Sequence, residues 1–264
     1  MDIKELEFSN KKLRTARHPW EYARFEVITK LISQYKHIRG IPIKVLDIGC
    51  GDAFILKLLS QRFPSGTFIG VDNKLTDDAI NILEKRISNV NLFFFKSLED
   101  YKNNYDGKID LLLALDIIEH IKNDKAFIKN LNRVIKYSLN SILVFTVPAF
   151  PRLFSYHDAW LSHYRRYTKK SFKGLLEKSG LEVIDIGYFF SVLLLPRIIL
   201  LIKEKILSGF TLRYKGISDW NKPSIITKIC ILILVVDFVI SSFFKKLWIS
   251  IPGLSCYAIC KVKQ

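Results

Sequence analysis

The sequence predicts an α/β fold in which a parallel β-sheet is covered by helices on both faces. Short apolar stretches with the length of strands alternate with stretches of helical periodicity over residues 20–187. The strand stretches are apolar at successive positions, which is typical of strands buried on both faces. The first strand ends in glycines, Gly49 and Gly51, directly before a helix. A glycine turn at this place is where such sheets bind a ligand.

The elements are predicted in chain order from these patterns. A first helix is expected from residue 20 to about residue 35, because its apolar residues recur at helical spacing. Strands are expected over residues 43–48, 68–72, 90–95, 109–115, 141–147, 181–187 and 254–262. Further helices are expected after the glycine turn through Leu59 and over residues 76–87, 124–137 and 169–179, the last with Thr168 as its N-cap and Gly180 at its end.

Composition limits the size and the partners of this fold. With 264 residues, the chain is long enough for one α/β domain with a large insertion. Hydrophobic residues make up 49% of the chain, which argues against global disorder. A net charge of +16 favours an anionic partner, either nucleic acid or an anionic membrane surface. The polar start shows no signal peptide, so a cytoplasmic location is expected.

The four cysteines do not form a pattern with a known chemistry. Their spacing fits neither a zinc site nor a disulfide framework, and no metal site is predicted. Cys256 and Cys260 would share one face of the last strand, where they are interpreted as small buried apolar residues.

Residues around the glycine turn indicate which ligand it binds. A dinucleotide site would have a third glycine three residues after Gly51, where Phe54 stands instead. Asp47, just before the turn, would repel a pyrophosphate but suits the ammonium and sulfonium groups of S-adenosylmethionine. Asp72, at the end of the second strand, can accept hydrogen bonds from both ribose hydroxyls. The structural alternative is that Asp47 and Asp72 only cap strand ends.

With this turn, residues 20–187 and the last strand resemble the class I S-adenosylmethionine-dependent methyltransferases, in particular the ubiquinone-type (type 11–12) branch and a membrane-associated bacterial subset. Asp47, Gly49 and Gly51 match the first motif of that superfamily. Asp72 matches its ribose-binding acid. The resemblance implies a Rossmann-like, doubly wound sheet of seven strands in the order 3-2-1-4-5-7-6, with strand 7 antiparallel. It also implies that S-adenosylmethionine is bound by Asp47, Gly49, Cys50, Gly51, Asp72, Asn73, Ser97, Leu98, Leu115 and Asp116.

Three further segments carry the resemblance. Residues 96–99 are similar to the segment that frames the adenine, although many members have Asp where Ser97 stands. Residues 110–120 are similar to the fourth strand and the following turn of the ubiquinone-type branch. His120 would therefore lie near the cofactor, as a catalytic candidate or only as a residue that orients the turn. Residues 18–24 are similar to a helix that covers the cofactor in the bacterial subset.

The loop over residues 148–168, called the acceptor loop below, is the candidate acceptor site. It leaves the carboxyl edge of the sheet, where ligands of such folds lie, and it is rich in His, Tyr, Trp and Arg. It resembles a His-Asp … His-x-Arg-Arg-Tyr stretch of bacterial methyltransferases that often act near surface-glycan or lipid pathways.

Polar residues of the acceptor loop can be given roles as hypotheses. Arg165 and Arg166, followed by Tyr167, are predicted to bind a phosphate or carboxylate of the acceptor, because arginine suits such anions. His157 or His163 is predicted to take the acceptor proton, since imidazole titrates near neutral pH. The alternative is that these residues only order the loop through internal hydrogen bonds.

Residues 188–251 form an apolar and basic helical insertion, so the cofactor-binding domain is predicted over residues 1–187 and 252–264. Charged residues interrupt both apolar runs, and basic residues and Trp flank them, which fits helices lying in a membrane interface. By the resemblance, the sixth and seventh strands are antiparallel neighbours. The insertion would then leave and return on one face, beside the cofactor, which excludes a single crossing and leaves two interfacial helices or a shallow hairpin. A buried helical subdomain or a dimer interface is the alternative.

The leading hypothesis is a methyltransferase for a small or lipid-linked acceptor, peripheral on the inner face of the cell membrane, in surface-glycan or isoprenoid and lipid metabolism. Oxygen is the expected target, because no activated cysteine is evident for carbon chemistry. An RNA methyltransferase would fit the charge, but residues 116–119 lack the Asn/Asp-Pro-Pro-Tyr/Phe motif of amino-methylating nucleic-acid enzymes, and no nucleic acid partner is expected. A non-catalytic cofactor-binding scaffold at the membrane is the third hypothesis.

Overall fold

The computed structural model describes residues 17–35, 42–87, 91–206, 220 and 222–263. Within them, the strands are β1 (Lys44–Ile48), β2 (Thr67–Val71), β3 (Asn91–Phe95), β4 (Ile109–Leu115), β5 (Tyr137–Pro148), β6 (Leu181–Phe189) and β7 (Ser255–Val262). The α-helices are α1 (Pro19–Ile32), α2 (Phe54–Arg62), α3 (Asp77–Arg86), α4 (Leu98–Asn104), α5 (Asp124–Val134), α6 (Tyr156–Trp160), α7 (Lys169–Lys178), α8 (Leu194–Ile206) and α9 (Ser224–Lys246).

The seven strands form one sheet in the order β3-β2-β1-β4-β5-β7-β6. β7 is antiparallel to both of its neighbours, and the other pairings are parallel. The predicted strand order and the predicted orientation of the last strand are therefore confirmed. Because β6 runs in the same direction as β1 to β5, all six strands end at one edge of the sheet, called the carboxyl edge below.

Successive residues of the central strands contribute to two separate cores. On β4, Leu111 and Leu113 pack in the core formed with α1, α2, α3 and α9. Leu112 and Ala114 pack in the core formed with α4, α5 and α7. All four side chains are fully buried. This two-sided burial is the reason that the strand stretches are apolar at successive positions.

Three elements differ from the expectation. β5 begins at Tyr137 rather than at residue 141, because Tyr137 already pairs with Ile109 of β4 and α5 ends before it. Helical periodicity does not predict α4 or α6, which have only seven and five residues. Each of these short helices begins at a serine whose side chain accepts a backbone N–H, Ser97 for α4 and Ser155 for α6.

The apolar insertion forms the helices α8 and α9 between β6 and β7. It leaves and returns at the carboxyl edge, because β6 ends there and the antiparallel β7 begins there. α9 packs against α1 and β6, and its buried residues are Leu234, Phe238 and Ser241. Most of its other apolar side chains are exposed. Among the described residues it is the one helix whose length and composition would allow a membrane crossing, with 23 residues and a mean hydropathy of 2.4.

Two charged residues within the apolar runs, Asp237 and Arg197, have partners inside the protein. The carboxylate of Asp237 on α9 accepts hydrogen bonds from the N–H groups of Ser191, at 2.7 Å, and Val192, at 3.3 Å, just before α8. Arg197 on α8 is buried and bonds to Asp158 of the acceptor loop. These contacts explain why the charges that interrupt the runs are compatible with helices packed on the domain.

Candidate active site

The glycine turn between β1 and α2 lies at the carboxyl edge, next to the end of β2. The N–H of Gly49 donates to the Val71 carbonyl oxygen at 2.7 Å, and the N–H of Gly51 donates to Asp72 Oδ2 at 3.0 Å. Gly49 has φ of +76° and Gly51 has φ of +54°. A Cβ atom at Gly49 would lie 2.8 Å from Ile117 Cδ1. Both the backbone conformation and the space therefore favour glycine at this position.

Two buried carboxyl groups, those of Asp47 and Asp72, lie beside this turn. Asp72 holds the turn through Gly51 and also accepts the N–H of Lys74 at 3.0 Å, as a strand-end cap would. Burial, together with the charge of Asp72, raises the pKa of Asp47 to about 7. A cationic ligand would favour the ionised form of such a group. Asp47 is therefore suited to the ammonium and sulfonium groups that the sequence predicts.

The other residues predicted to bind the cofactor lie along the same edge. Ser97 and Leu98 follow β3, and Ser97 Oγ accepts the Asp100 N–H at 3.0 Å. The remaining ones occupy the glycine turn and the ends of β2 and β4: Cys50, Asn73, Leu115 and Asp116. The fold thus brings the whole predicted set to one edge, and the contact of each residue with the cofactor stays a prediction.

Two arginines tie α1 to the carboxyl edge. Arg24 Nη2 forms an ion pair with Asp116 Oδ2 at 2.8 Å, and Arg17, just before the helix, forms one with Asp52 of the glycine turn. Asp116 also accepts a hydrogen bond from Thr146 Oγ1 at 2.8 Å. Burial opposes the ionisation of Asp116, but Arg24 and Thr146 outweigh it and lower the pKa of this carboxyl group. The helix predicted to cover the cofactor is thus bonded to the edge of the predicted site.

The turn after β4 brings Glu119 and His120 against His163 of the acceptor loop. The rings of His120 and His163 meet edge-on with 4.6 Å between centroids, and one ligand atom of each of the three side chains lies within 4.8 Å of the others. Glu119 is fully buried, and neither of its carboxyl oxygens has a hydrogen-bond partner among the described residues. Burial, reinforced by the charge of Asp116, raises its pKa well above the usual range. Carboxylates and imidazoles are also metal ligands, and the sequence predicts no metal here.

Asp158 is the centre of the hydrogen bonds in the acceptor loop. Its buried carboxylate accepts Arg166 Nε at 2.7 Å and Arg197 Nη2 at 2.8 Å, and Oδ1 lies 3.0 Å from His163 Nδ1. Burial would raise the pKa of Asp158, but the bonds from His163 and the arginines outweigh it and hold the pKa well below its usual range. Because Asp158 is ionised, His163 Nδ1 carries the proton of this bond. Nε2 is then the nitrogen that can accept a proton.

The three residues predicted to bind the acceptor have internal partners. Arg165 Nη1 donates to Asp124 Oδ2 at 2.8 Å, and the Tyr167 hydroxyl donates to the same oxygen at 2.9 Å. Arg166 is buried against Asp158. These contacts favour the alternative in which the residues order the loop. Acceptor binding by Arg165, Arg166 or Tyr167 stays a prediction.

His157 has a different environment from His163. Its ring lies nearly parallel to that of Trp160, with 6.3 Å between centroids. Burial, followed by the charge of Arg197, lowers the pKa of His157 to about 4. An imidazole with this pKa is neutral at physiological pH but is a weak proton acceptor. Of the two histidines, His163 is therefore the better candidate base, because an ionised carboxylate orients it.

Sequence reasoning does not identify Asp158, Arg197 or Glu119 as site residues. Asp158 and Arg197 are 39 residues apart and belong to segments of different character. One signal is present in the sequence, an arginine in the middle of an apolar helix. A buried arginine almost always has an acidic or carbonyl partner, so this position indicates an internal ion pair.

Comparison with known proteins finds a family and several relatives. Residues 20–186 match the family described as methyltransferase domain. The ubiquinone biosynthesis O-methyltransferase of Rickettsia bellii (strain OSU 85-389) is 31% identical over 111 residues, which cover 42% of this chain and 44% of that protein. The mitochondrial ubiquinone biosynthesis O-methyltransferase of Dictyostelium discoideum is 29% identical over 121 residues, which cover 42% of this chain and 37% of that protein. The chain thus spans less than half the length of these relatives.

Solved structures show the same fold. The plantazolicin methyltransferase BamL, in complex with a triazolic desmethylPZN analog and SAH, aligns with a TM-score of 0.56 over 92% of this chain and 86% of its own, at 18% identity. The plantazolicin methyltransferase BpumL, in complex with SAH, aligns with a TM-score of 0.52 over 93% of this chain and 85% of its own, at 16% identity. At these identities the likeness concerns the fold.

Proposed function

Because the chain belongs to the methyltransferase domain family, we propose that it transfers a methyl group from S-adenosylmethionine to a hydroxyl oxygen of a small or lipid-linked acceptor. The observation that carries the proposal is the Asp158–His163 pair, which contacts the turn after β4 through His120. That turn begins with Asp116 at the carboxyl edge, directly after Leu115 at the end of β4. These contacts support a base next to the predicted cofactor site.

Residues of the glycine turn fit S-adenosylmethionine. The buried carboxyl groups of Asp47 and Asp72 offer acceptors for an ammonium group and for ribose hydroxyls. Gly49 has a positive φ and no Cβ that would meet the Ile117 side chain, so the backbone can form this tight turn. Arg24 keeps Asp116 ionised at the same edge. When bound, this cofactor supplies an electrophilic methyl group on a positively charged sulfur.

His163 is the proposed general base. Its Nδ1–H is held by Asp158, so Nε2 takes the proton of the acceptor hydroxyl, and the acceptor oxygen becomes more nucleophilic as this proton leaves. The carboxylate of Asp158 stabilises the resulting imidazolium and keeps the ring in one orientation. Alignment of the acceptor contributes the rest of the rate, as in other direct displacements.

A lipid-linked acceptor and a peripheral location on the inner face of the membrane are supported by the exposed apolar surface of α9. On a helix that faces water, exposed apolar residues usually occur singly, whereas on α9 they form one extended surface. It comprises Ile225, Ile226, Ile229, Leu232, Ile233, Val236, Val239, Ile240, Phe243 and Phe244. The net charge of +16 would attract an anionic bilayer. Because the insertion leaves and returns at the carboxyl edge, an acceptor embedded in that bilayer would be near His163.

Two observations support oxygen as the acceptor atom. Curated relatives of this chain carry the name ubiquinone biosynthesis O-methyltransferase. The site also offers an oriented histidine for a hydroxyl proton, which direct transfer to an oxygen requires.

Release of S-adenosylhomocysteine by the purified protein tests the proposed reaction. We expect turnover when a bacterial cell-envelope lipid extract is added, and mass spectrometry should find the product in the lipid fraction. Turnover that appears only with added RNA would contradict the proposal in favour of a nucleic-acid methyltransferase. Cofactor binding without turnover on lipid, small-molecule or RNA fractions would contradict it in favour of a scaffold.

Flotation with anionic vesicles tests the membrane part separately. At low salt and without detergent, we expect the protein to float with the vesicles, because apolar burial and charge attraction act together. Protein that remains in the soluble fraction under these conditions would contradict a membrane location. Methylation of a soluble acceptor would still be compatible with that result.

A further inference from the structure

A pocket lies between α6 and α8, where the acceptor loop meets the insertion. Its volume is about 410 Å³. Phe154, Tyr156, Ala159 and Leu201 form its largely apolar wall, and Glu204 and Lys205 add one acidic and one basic group. Because Leu201, Glu204 and Lys205 are three and four positions apart on α8, they share one face of that helix.

Glu204 is the unusual member of this pocket. The residue is 5% exposed, and neither carboxyl oxygen has a hydrogen-bond partner among the described residues. The buried carboxylates of Asp72 and Asp158 each accept at least two hydrogen bonds. A buried acceptor without a donor is destabilising, and a ligand that brings N–H donors would remove that cost.

We propose that this pocket binds the headgroup of an aminophospholipid, with its primary ammonium on Glu204 and its phosphate near Lys205. A primary ammonium supplies three N–H donors to the carboxylate, whereas a quaternary ammonium of similar charge supplies none. The opposite charges of Glu204 and Lys205 complement the zwitterionic headgroup. The proposal rests on the membrane docking proposed above and assigns a lipid class to it.

The surroundings of the pocket support a lipid over a soluble amine. Exposed apolar side chains of α8 lie on the faces next to Leu201 and Glu204: Leu195, Ile198, Ile199, Ile202 and Ile206. These side chains would lie among acyl chains while the headgroup occupies the pocket. Ser155, which also lines the pocket, accepts a hydrogen bond from Arg197, and Arg197 bonds to Asp158. A bound headgroup would therefore hold the bilayer next to the residues that orient His163.

Vesicle partitioning of the whole 264-residue chain tests the proposal. One set of vesicles contains phosphatidylglycerol and phosphatidylcholine, and the other has half of its phosphatidylcholine replaced by phosphatidylethanolamine. We expect phosphatidylethanolamine to strengthen binding about tenfold. This factor corresponds to the free energy of one charge-assisted hydrogen bond. Glu204→Gln should abolish this preference but still bind both vesicles. Glu182→Gln, at an exposed glutamate of β6, is the matched control and should keep the preference.

The outcomes separate this proposal from the one on which it rests. Equal binding of the native protein to both vesicles would overturn the headgroup site and leave membrane docking intact. A Glu204→Gln protein that keeps the preference would also overturn it. Failure to bind either vesicle would contradict membrane docking itself. If Glu204→Gln does not fold, the melting temperature of the native protein provides the test. Vesicles with phosphatidylethanolamine should raise this temperature more than vesicles without it, and equal increases would overturn the headgroup site.

Discussion

Arg197 of the apolar insertion and Asp158 of the acceptor loop form a buried ion pair, with Arg197 Nη2 2.8 Å from Asp158 Oδ2. The same carboxylate orients His163 through its other oxygen. Arg197 belongs to α8, whose exposed side chains are proposed to lie among acyl chains. This helix is therefore bonded to Asp158, the residue that orients the proposed base. The position of α8 and the geometry of the acceptor loop should depend on each other.

Arg197→Met tests this ion pair through stability. The change removes a buried charge but leaves Asp158 bonded to Arg166 and His163, so we expect the free energy of unfolding to fall by about 1–3 kcal/mol. Urea denaturation measures the loss. Arg152→Met, at an exposed arginine of the same loop, is the matched control and should change the stability by less than about 0.5 kcal/mol. Equal effects in the two variants would show that the buried pair does not stabilise the loop.

The proposed base is tested by substituting the two loop histidines separately. His163→Gln should lower kcat by about 100-fold or more, because it removes a base that a carboxylate orients. His157→Gln should lower it only a few-fold, since the pKa of His157 is already held at about 4. Both variants should bind S-adenosylmethionine as the native protein does, by calorimetry. A larger loss in His157→Gln than in His163→Gln would reverse the assignment.

The sequence predicts the sheet and the glycine turn well because both depend on local patterns. Apolar residues at successive positions predict a strand buried on two faces. Gly49 and Gly51 predict a turn before the helix, and both residues have positive φ in the structure. The strand order requires the family resemblance in addition, since periodicity alone does not pair strands. The short helices α4 and α6 escape prediction because a serine cap is the main local signal for each.

The acceptor loop is harder to predict because the same residue types bind ligands and order loops. Arginine and tyrosine suit a phosphate, yet Arg165 and Tyr167 both bond to Asp124, which lies more than forty positions earlier. Only the tertiary structure brings these partners together. Conversely, Asp158 acquires its importance from bonds to Arg166 and Arg197, and no local pattern identifies Asp158 as their partner.

Asp47 makes cofactor binding depend on pH. Its pKa is raised to about 7, and a cationic ligand binds the ionised form, so binding should weaken as the pH falls below that value. We expect the Kd for S-adenosylmethionine to rise about eightfold between about pH 7.5 and about pH 6. Calorimetry at several pH values measures this. Asp47→Asn should bind more weakly and lose this part of the pH dependence, and a variant with the native profile would contradict the role of Asp47.

Two glycines outside the site, Gly253 and Gly174, test how the addition of a Cβ atom changes the stability of the protein. A Cβ at Gly253 would lie 2.7 Å from the carbonyl carbon of Phe189, so Gly253→Ala should destabilise the junction with β7 by about 1–3 kcal/mol. Gly174 lies within α7 with nothing near its Cβ position, and Gly174→Ala should stabilise the protein by about 0.5–1 kcal/mol. Opposite shifts of the melting temperature are expected. Shifts of the same sign would contradict the packing at one of the two positions.

The exposed face of α9 is tested by introducing a charge. Leu232→Glu should weaken binding to anionic vesicles at least about tenfold, because a buried leucine contributes about 1.5–3 kcal/mol and the new carboxylate is repelled by anionic lipid. Ile82→Glu, at an exposed isoleucine of α3 outside this surface, should lose less than about threefold. Flotation and gel filtration are measured together. A dimer that Leu232→Glu dissociates, with vesicle binding unchanged, would assign the same apolar surface to a second copy of the chain and would contradict its contact with the bilayer.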